Sequence, residues 1–122
     1  NGVKYFYDKG MEYIKNKDYK NSLSNFNKIY LYSKKSYLNQ HILYMIGYSY
    51  ENLYDTENAN KYYEIYVEEY KSGDYIEQCV YNLAILNENV DKEKAKKYAN
   101  KLVEEYPNSQ FNNTRIRKII NN

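Results

Sequence analysis

The 122-residue chain has little of what other folds use for turns, cross-links and membrane spans. One proline and four glycines are too few for a sheet-rich fold with many tight turns, and they favour long helices. The single cysteine, Cys79, excludes an internal disulfide and leaves the cellular compartment open. No apolar run reaches the roughly 18 residues that a membrane span needs, so the sequence predicts no direct membrane insertion.

The balance of charge and the scarcity of reactive residues exclude further classes of protein. The chain has 18 basic and 16 acidic residues and a net charge of +2, which is too even for a nucleic-acid-binding protein. His41 is the only histidine, so a catalytic triad or a zinc site is not expected. No glycine-rich phosphate loop occurs. The sequence therefore predicts no enzyme, no catalytic residue, no metal and no cofactor, and it predicts that Cys79 is an inert core thiol.

Tyrosine is abundant, with 19 residues. Asn, Lys and Ile are frequent too, and because all four share AT-rich codons, genome composition explains most of the excess. Tyrosine combines an apolar ring with a hydroxyl, which suits half-buried surfaces and binding grooves. The chain begins Asn-Gly without an initiator Met, so we expect a fragment of a longer protein.

The sequence repeats itself at a period of 36 to 37 residues. VEEYKSG at 67–73 returns as VEEYPNS at 103–109. Several columns keep the same interval: Asp18, Asp55 and Asp91; Gly10, Gly47 and Ala84; Ser22, Ala59 and Ala95; Phe26, Tyr63 and Ala99. Self-similarity at such a period is typical of stacked repeats.

Apolar residues recur at three- and four-residue steps, which predicts seven helices, at about 3–16, 19–33, 37–53, 56–71, 75–88, 92–106 and 110–121. The repeated aspartates precede the second helix of each unit and are predicted N-caps. A capping box from Asp74 to Glu77, together with Ser36 and Ser109, is predicted to start other helices. Small residues at Gly10, Gly47 and Ala84 indicate close helix contacts, since glycine in a helix costs about 1 kcal/mol relative to alanine.

The stretch YFYDKGMEYIKNKDYKNSLSNFNKIY resembles a tetratricopeptide repeat, with Gly10, Tyr13, Ser22, Phe26 and Ile29 at the family's characteristic positions. The early tryptophan of the family is replaced by Phe6, Leu43 and Val80, and its closing proline is present only as Pro107. The resemblance implies an all-α, right-handed superhelix in a single domain, residues 1–122. It would contain three TPR-like helix-turn-helix repeats, at about 3–36, 37–73 and 74–109, and a C-terminal capping helix at 110–121.

The long loops and the EEYPNSQF junction are similar to repeats of bacterial envelope proteins, such as outer-membrane assembly lipoproteins and the periplasmic coordinator of the Tol–Pal system. This resemblance favours an envelope or extracytoplasmic location over the cytoplasm.

In such superhelices the first helices line the concave surface, so their repeated positions are candidate binding residues. The predicted peptide- or partner-binding set is Lys4, Tyr7, Met11, His41, Tyr44, Tyr48, Gln78, Tyr81 and Ile85. Two interpretations stay open: a groove for a partner peptide or helix, rich in tyrosine as binding hot spots are, or tyrosines that simply pack on their neighbours.

The predicted function is a non-enzymatic scaffold that binds a protein or peptide of unknown identity. The family's lysine and asparagine clamp for a C-terminal carboxylate is not matched, because its positions hold Tyr7, Met11 and Met45. Apolar or aromatic segments are therefore the expected ligands, rather than acidic tails. The alternatives are a self-association module that forms a homodimer, or a sensor arm of a larger membrane-anchored or regulatory protein.

Overall fold

The structure, a computed structural model, describes residues 2–32 and 38–122. This part of the chain contains helices and no strands, which confirms the all-α prediction. Its seven helices are α1 (Gly2–Lys15), α2 (Tyr19–Tyr32), α3 (Leu38–Asn52), α4 (Thr56–Glu69), α5 (Ile76–Leu86), α6 (Lys92–Glu105) and α7 (Thr114–Asn121). The predicted cap Ser36 lies outside the described residues.

The turns after α1 and α3 share one backbone conformation. Lys17 and Tyr54 have φ angles of 59° and 61°, in the left-handed region. In each turn the next amide reaches back to a carbonyl five residues earlier, as in the 2.8 Å bond from Asp18 N to Tyr13 O. This arrangement is a Schellman motif, which usually has glycine at its left-handed position.

The repeated aspartates are N-caps, as predicted. The Oδ1 atoms of Asp18, Asp55 and Asp91 each accept a hydrogen bond from the backbone N–H three residues later, at 3.2, 3.1 and 3.1 Å. Each bond satisfies one amide that the first turn leaves unpaired. The three hairpins α1–α2, α3–α4 and α5–α6 therefore begin their second helices in the same way.

The predicted capping box at Asp74 is wrong. Helix α5 begins at Ile76, and its cap position, Tyr75, makes no capping bond through its side chain. The backbone N–H of Tyr75 instead donates to the hydroxyl of Tyr66, 2.7 Å away. A side chain near the end of α4 thus binds the backbone of the residue that precedes α5.

The predicted cap Ser109 and the predicted start of the last helix at 110 are also wrong. Asn113 caps α7, since its Oδ1 accepts from the backbone N–H of Ile116 at 3.1 Å. The Oγ of Ser109 accepts from the N–H of Phe111, which holds a turn before the helix. The helix is shorter than predicted, but it packs on α5 and α6 and covers their apolar side with Ile116 and Ile119.

The chain forms two compact units, Asn1–Ile65 and Tyr66–Asn122, which we call unit 1 and unit 2. Their boundary lies inside α4. The buried core cluster of unit 1 consists of Leu23, Phe26, Ile29, Ile42, Met45 and Ile46. Buried residues of unit 2 include Cys79, Val80, Leu83, Ala84, Ala95, Tyr98, Ala99, Leu102, Ile116 and Ile119.

The small-residue columns lie at close helix contacts, as expected. Gly10 and Gly47 lie directly against the rings of Phe26 and Tyr63, which are fully buried. In unit 1, Ser22, which belongs to the column of Ser22, Ala59 and Ala95, adds a polar contact. Its hydroxyl lies 2.9 Å from the hydroxyl of Ser49. These contacts bind α1 to α2, α2 to α3 and α3 to α4.

Candidate functional site

A hydrogen bond joins the first helices of the two hairpins of unit 1. The hydroxyl of Tyr7 on α1 lies 2.7 Å from Nδ1 of His41 on α3, and the two rings are 5.4 Å apart. Burial lowers the pKa of His41 below its ordinary 6.5, which favours the neutral imidazole at pH 7. The neutral ring lets this contact form without placing a charge between the helices.

Tyr44 and Tyr48 continue the same side of α3, because residues three and seven positions after His41 share its helix face. The rings of Tyr44 and Tyr48 are 6.3 Å apart. The Tyr44 ring also lies 6.2 Å from the buried ring of Tyr63, and the Tyr48 ring lies 6.0 Å from Tyr19. We call the surface formed by Tyr7, His41, Tyr44 and Tyr48 the α1–α3 face.

The side chains of the α1–α3 face are half-buried. Tyr7, Tyr44 and Tyr48 pack against the core cluster of unit 1, and so does Met11. Lys4 is exposed, and its ammonium pairs with Asp8 on the same helix at 2.6 Å. These tyrosine rings are thus partly in packing contact and partly accessible to solvent, and both interpretations of them stay open.

Glu51 is a residue of this region that the predicted set missed. It lies one turn beyond Tyr48, and burial raises its pKa above the ordinary 4.5. The hydroxyl of Tyr63 donates to its Oε1 at 2.8 Å, which offsets part of that effect. Its place on the helix face was visible in the sequence, but its burial follows from packing against α4.

In unit 2 the predicted residues lie on α5 and are engaged by neighbours. The ring of Tyr81 lies 5.2 Å from Phe111, and its hydroxyl accepts from Asn113 Nδ2 at 3.2 Å. Gln78 donates to Asn82 one turn along its own helix, and Ile85 is half-buried. The segment before α7 therefore holds Tyr81 in place, a contact that the repeat pattern did not predict.

Reactive groups are buried or dispersed in the part of the chain that is described. Cys79 is fully buried, and burial raises its thiol pKa well above the ordinary value. Across residues 2–32 and 38–122, no group of three or more His, Cys, Asp and Glu side chains is placed to hold a metal ion. In the same residues, no helix has both the length and the apolar character to cross a membrane.

Comparison with known proteins agrees with this architecture. The family model of the tetratricopeptide repeat matches residues 42–72 and 78–109, which together are just over half of the chain. The chain belongs to the tetratricopeptide repeat family. The two matches fall within the predicted second and third repeats, and repeats of this family generally mediate protein–protein interactions. None of the curated proteins compared matches the chain significantly.

Proposed function

We propose that the α1–α3 face of this tetratricopeptide repeat protein binds a segment of a partner protein that carries apolar or aromatic side chains. The observation that supports this most is the fixed arrangement of half-exposed rings. The bond between Tyr7 and His41 and the ring contacts of Tyr44 restrict these side chains before any ligand arrives. Rings that are already ordered lose little side-chain entropy on binding, which favours affinity.

The chemistry of the face supports an apolar rather than an acidic ligand. Each tyrosine offers a rigid ring with a polar tip, a combination that is enriched at binding hot spots. His41 is half-buried and mainly neutral at pH 7, so it adds no strong positive charge for an acidic tail. The exposed ammonium of Lys4 is already paired with Asp8.

The test is a titration of the full chain with fluorescent peptides. One set carries Phe, Leu or Tyr at helical spacing, and a matched set carries Glu at those positions. The aromatic set should bind, and Tyr44→Ala or Tyr48→Ala should weaken it about tenfold or more. Tyr54→Ala is the matched control, because Tyr54 is 92% exposed and lies outside the face.

Circular dichroism of each variant establishes that the helices remain. If aromatic peptides do not bind, or if they bind Tyr44→Ala and Tyr48→Ala as tightly as the original chain, the proposal is wrong.

Self-association is a second candidate because two apolar residues are exposed side by side in the α3–α4 turn. Leu53 and Tyr54 are 41% and 92% exposed. If this turn joins two copies, sedimentation equilibrium should show a concentration-dependent dimer that Tyr54→Ser dissociates. A monomer at all concentrations tested excludes this function.

A further inference from the structure

Two adjoining depressions in the surface of unit 2 share one wall, at Glu77. The first, of about 250 Å³, is lined by Asp74, Tyr75, Glu77, Gln78, Gln110 and Phe111. The second, of about 260 Å³, is lined by Glu77, Glu105, Tyr106, Pro107, Asn108 and Ser109. Both lie at the end of unit 2 where α5 begins and α6 ends, and neither is lined by a residue of the α1–α3 face.

Aromatic rings that are held by other contacts form part of both depressions. The Phe111 ring packs on Tyr81, and the Tyr75 ring lies 6.4 Å from Tyr66 in an edge-on contact. The hydroxyl of Tyr106 donates to the backbone carbonyl of Lys71 at 3.4 Å. The walls are thus ordered in advance, and Gln78, Gln110 and Asn108 add amide side chains to the lining.

The charged side chains that line the two depressions are all acidic. Their lining includes three carboxylates and no Lys, Arg or His. Lys101 already pairs with Glu105, at 3.0 Å. Among the described residues, the Glu77 carboxylate has neither a salt bridge nor a hydrogen-bond partner, although it lies where the two depressions meet.

A carboxylate beside ordered aromatic rings fits a guanidinium group. An arginine can form two parallel hydrogen bonds to a carboxylate and also lie flat on an aromatic face. Cation–π contacts of this kind add about 0.5–1 kcal/mol at exposed sites. The nearby amides can bond to the backbone of the chain that carries the arginine.

We propose that the two depressions bind an arginine-bearing segment of a partner protein, with Glu77 pairing to the guanidinium and the rings of Tyr75, Tyr106 and Phe111 flanking it. The chain as a whole has a net charge of +2, so overall electrostatic attraction does not favour a basic ligand. Binding of such a ligand would therefore depend on the local site.

The experiment titrates the full chain with a fluorescein-labelled peptide of alternating Gly and Arg, and with matched peptides in which Lys or Glu replaces Arg. The Arg peptide should bind best and the Glu peptide should not bind. Glu77→Gln should weaken binding of the Arg peptide by about tenfold, the loss expected for a charge-assisted pair of hydrogen bonds. Phe111→Leu should weaken it several-fold.

Glu93→Gln is the matched control, because Glu93 is exposed in the first turn of α6 and does not line either depression. It removes the same charge and should change the affinity less than about twofold. Absence of Arg-peptide binding, or equal losses for Glu77→Gln and Glu93→Gln, would overturn the proposal. The aromatic peptides that test the α1–α3 face should bind Glu77→Gln unchanged, so the two proposals can fail separately.

Discussion

The ring of Tyr63 occupies the space that a side chain on Gly47 would need. A β-carbon built on Gly47 would lie 2.7 Å from Cδ1 of Tyr63, and one on Gly10 would lie 2.6 Å from Cε1 of Phe26. The same columns of the third hairpin hold Ala84 and Ala99, both fully buried, so a methyl group is present where the ring is absent. A residue at the small position and the residue that packs against it therefore cannot both carry a large side chain.

Gly47→Ala should destabilise the protein although alanine is the better helix former. Alanine gains about 1 kcal/mol of helix propensity. Moving a buried ring costs about 1–3 kcal/mol, so a net loss of about 1 kcal/mol is expected in urea unfolding. In the double variant with Tyr63→Leu, the alanine should become neutral or favourable, because the ring has gone.

Gly2→Ala is the control for this pair, since a β-carbon at Gly2 meets nothing within 4 Å. It should change the stability little. An increase in stability for Gly47→Ala alone would contradict the packing argument.

Tyr54→Gly should stabilise the protein. The left-handed backbone at Tyr54 costs a non-glycine residue about 1–2 kcal/mol, while glycine loses about 0.5–1 kcal/mol more entropy on folding. The side chain is 92% exposed and gives up little packing, so a gain of about 0.5–1 kcal/mol is expected by chemical denaturation.

Val90→Gly, in the turn between α5 and α6, is the matched control for Tyr54→Gly. Val90 is 36 residues further on and is also exposed, but its φ is not in the left-handed region. Glycine there should therefore lower the stability by about 0.5–1 kcal/mol. The same sign of change at both sites would show that backbone strain is not the cause.

Glu51→Gln should make stability less dependent on pH. Burial raises the folded-state pKa of Glu51 above 4.5, so the folded chain holds this proton more tightly than the unfolded chain does. The stability that protonated Glu51 contributes to the folded state is fully present below pH 4.5, and it is lost as the pH rises through the folded-state pKa. Glutamine can still accept the hydrogen bond from the Tyr63 hydroxyl, and it carries no charge. The variant should therefore be the more stable protein at pH 7.

Urea unfolding of both proteins as a function of pH measures this effect. The difference should disappear below pH 4.5, where Glu51 is protonated in both states. Glu57→Gln, at an exposed site in the first turn of α4, should not give the gain. A Glu51→Gln chain that is less stable than the original at pH 7, by an amount that is constant with pH, would contradict the assignment.

Cys79 should react with DTNB only when the chain opens. Its side chain is fully buried, and the raised thiol pKa leaves little thiolate. Reaction in buffer should be at least about 100-fold slower than in concentrated urea. Val90→Cys adds an exposed thiol and should produce one fast and one slow phase, whereas two equally fast thiols would contradict the burial.

The sequence predicts well those elements whose cause is local or repeated. The caps at Asp18, Asp55 and Asp91 were predictable because each side chain bonds to an amide three residues away. The close contacts at Gly10 and Gly47 were predictable because the small residue recurs at the same phase.

Contacts between distant residues were not predictable in the same way. Nothing local to Asp74 reveals that the Tyr66 hydroxyl accepts the amide of Tyr75, or that α5 begins only at Ile76. The binding residues were predicted from their repeated positions alone, whereas the bond between Tyr7 and His41 depends on side-chain rotamers and on the spacing of neighbouring hairpins. The packing of Phe111 on Tyr81 depends on the path of the segment before α7.

The bond between Tyr75 and Tyr66 also bears on how this chain can be divided or recombined. A fragment cut at the repeat boundary that the sequence suggests, residue 74, would lack the hydroxyl that accepts the amide of Tyr75, the residue directly before its first helix. A fragment that starts at Tyr66 would retain it. If the third hairpin is transplanted into another repeat array, Tyr66 must therefore be included to keep this hydrogen bond, so the transferable segment is longer than the repeat.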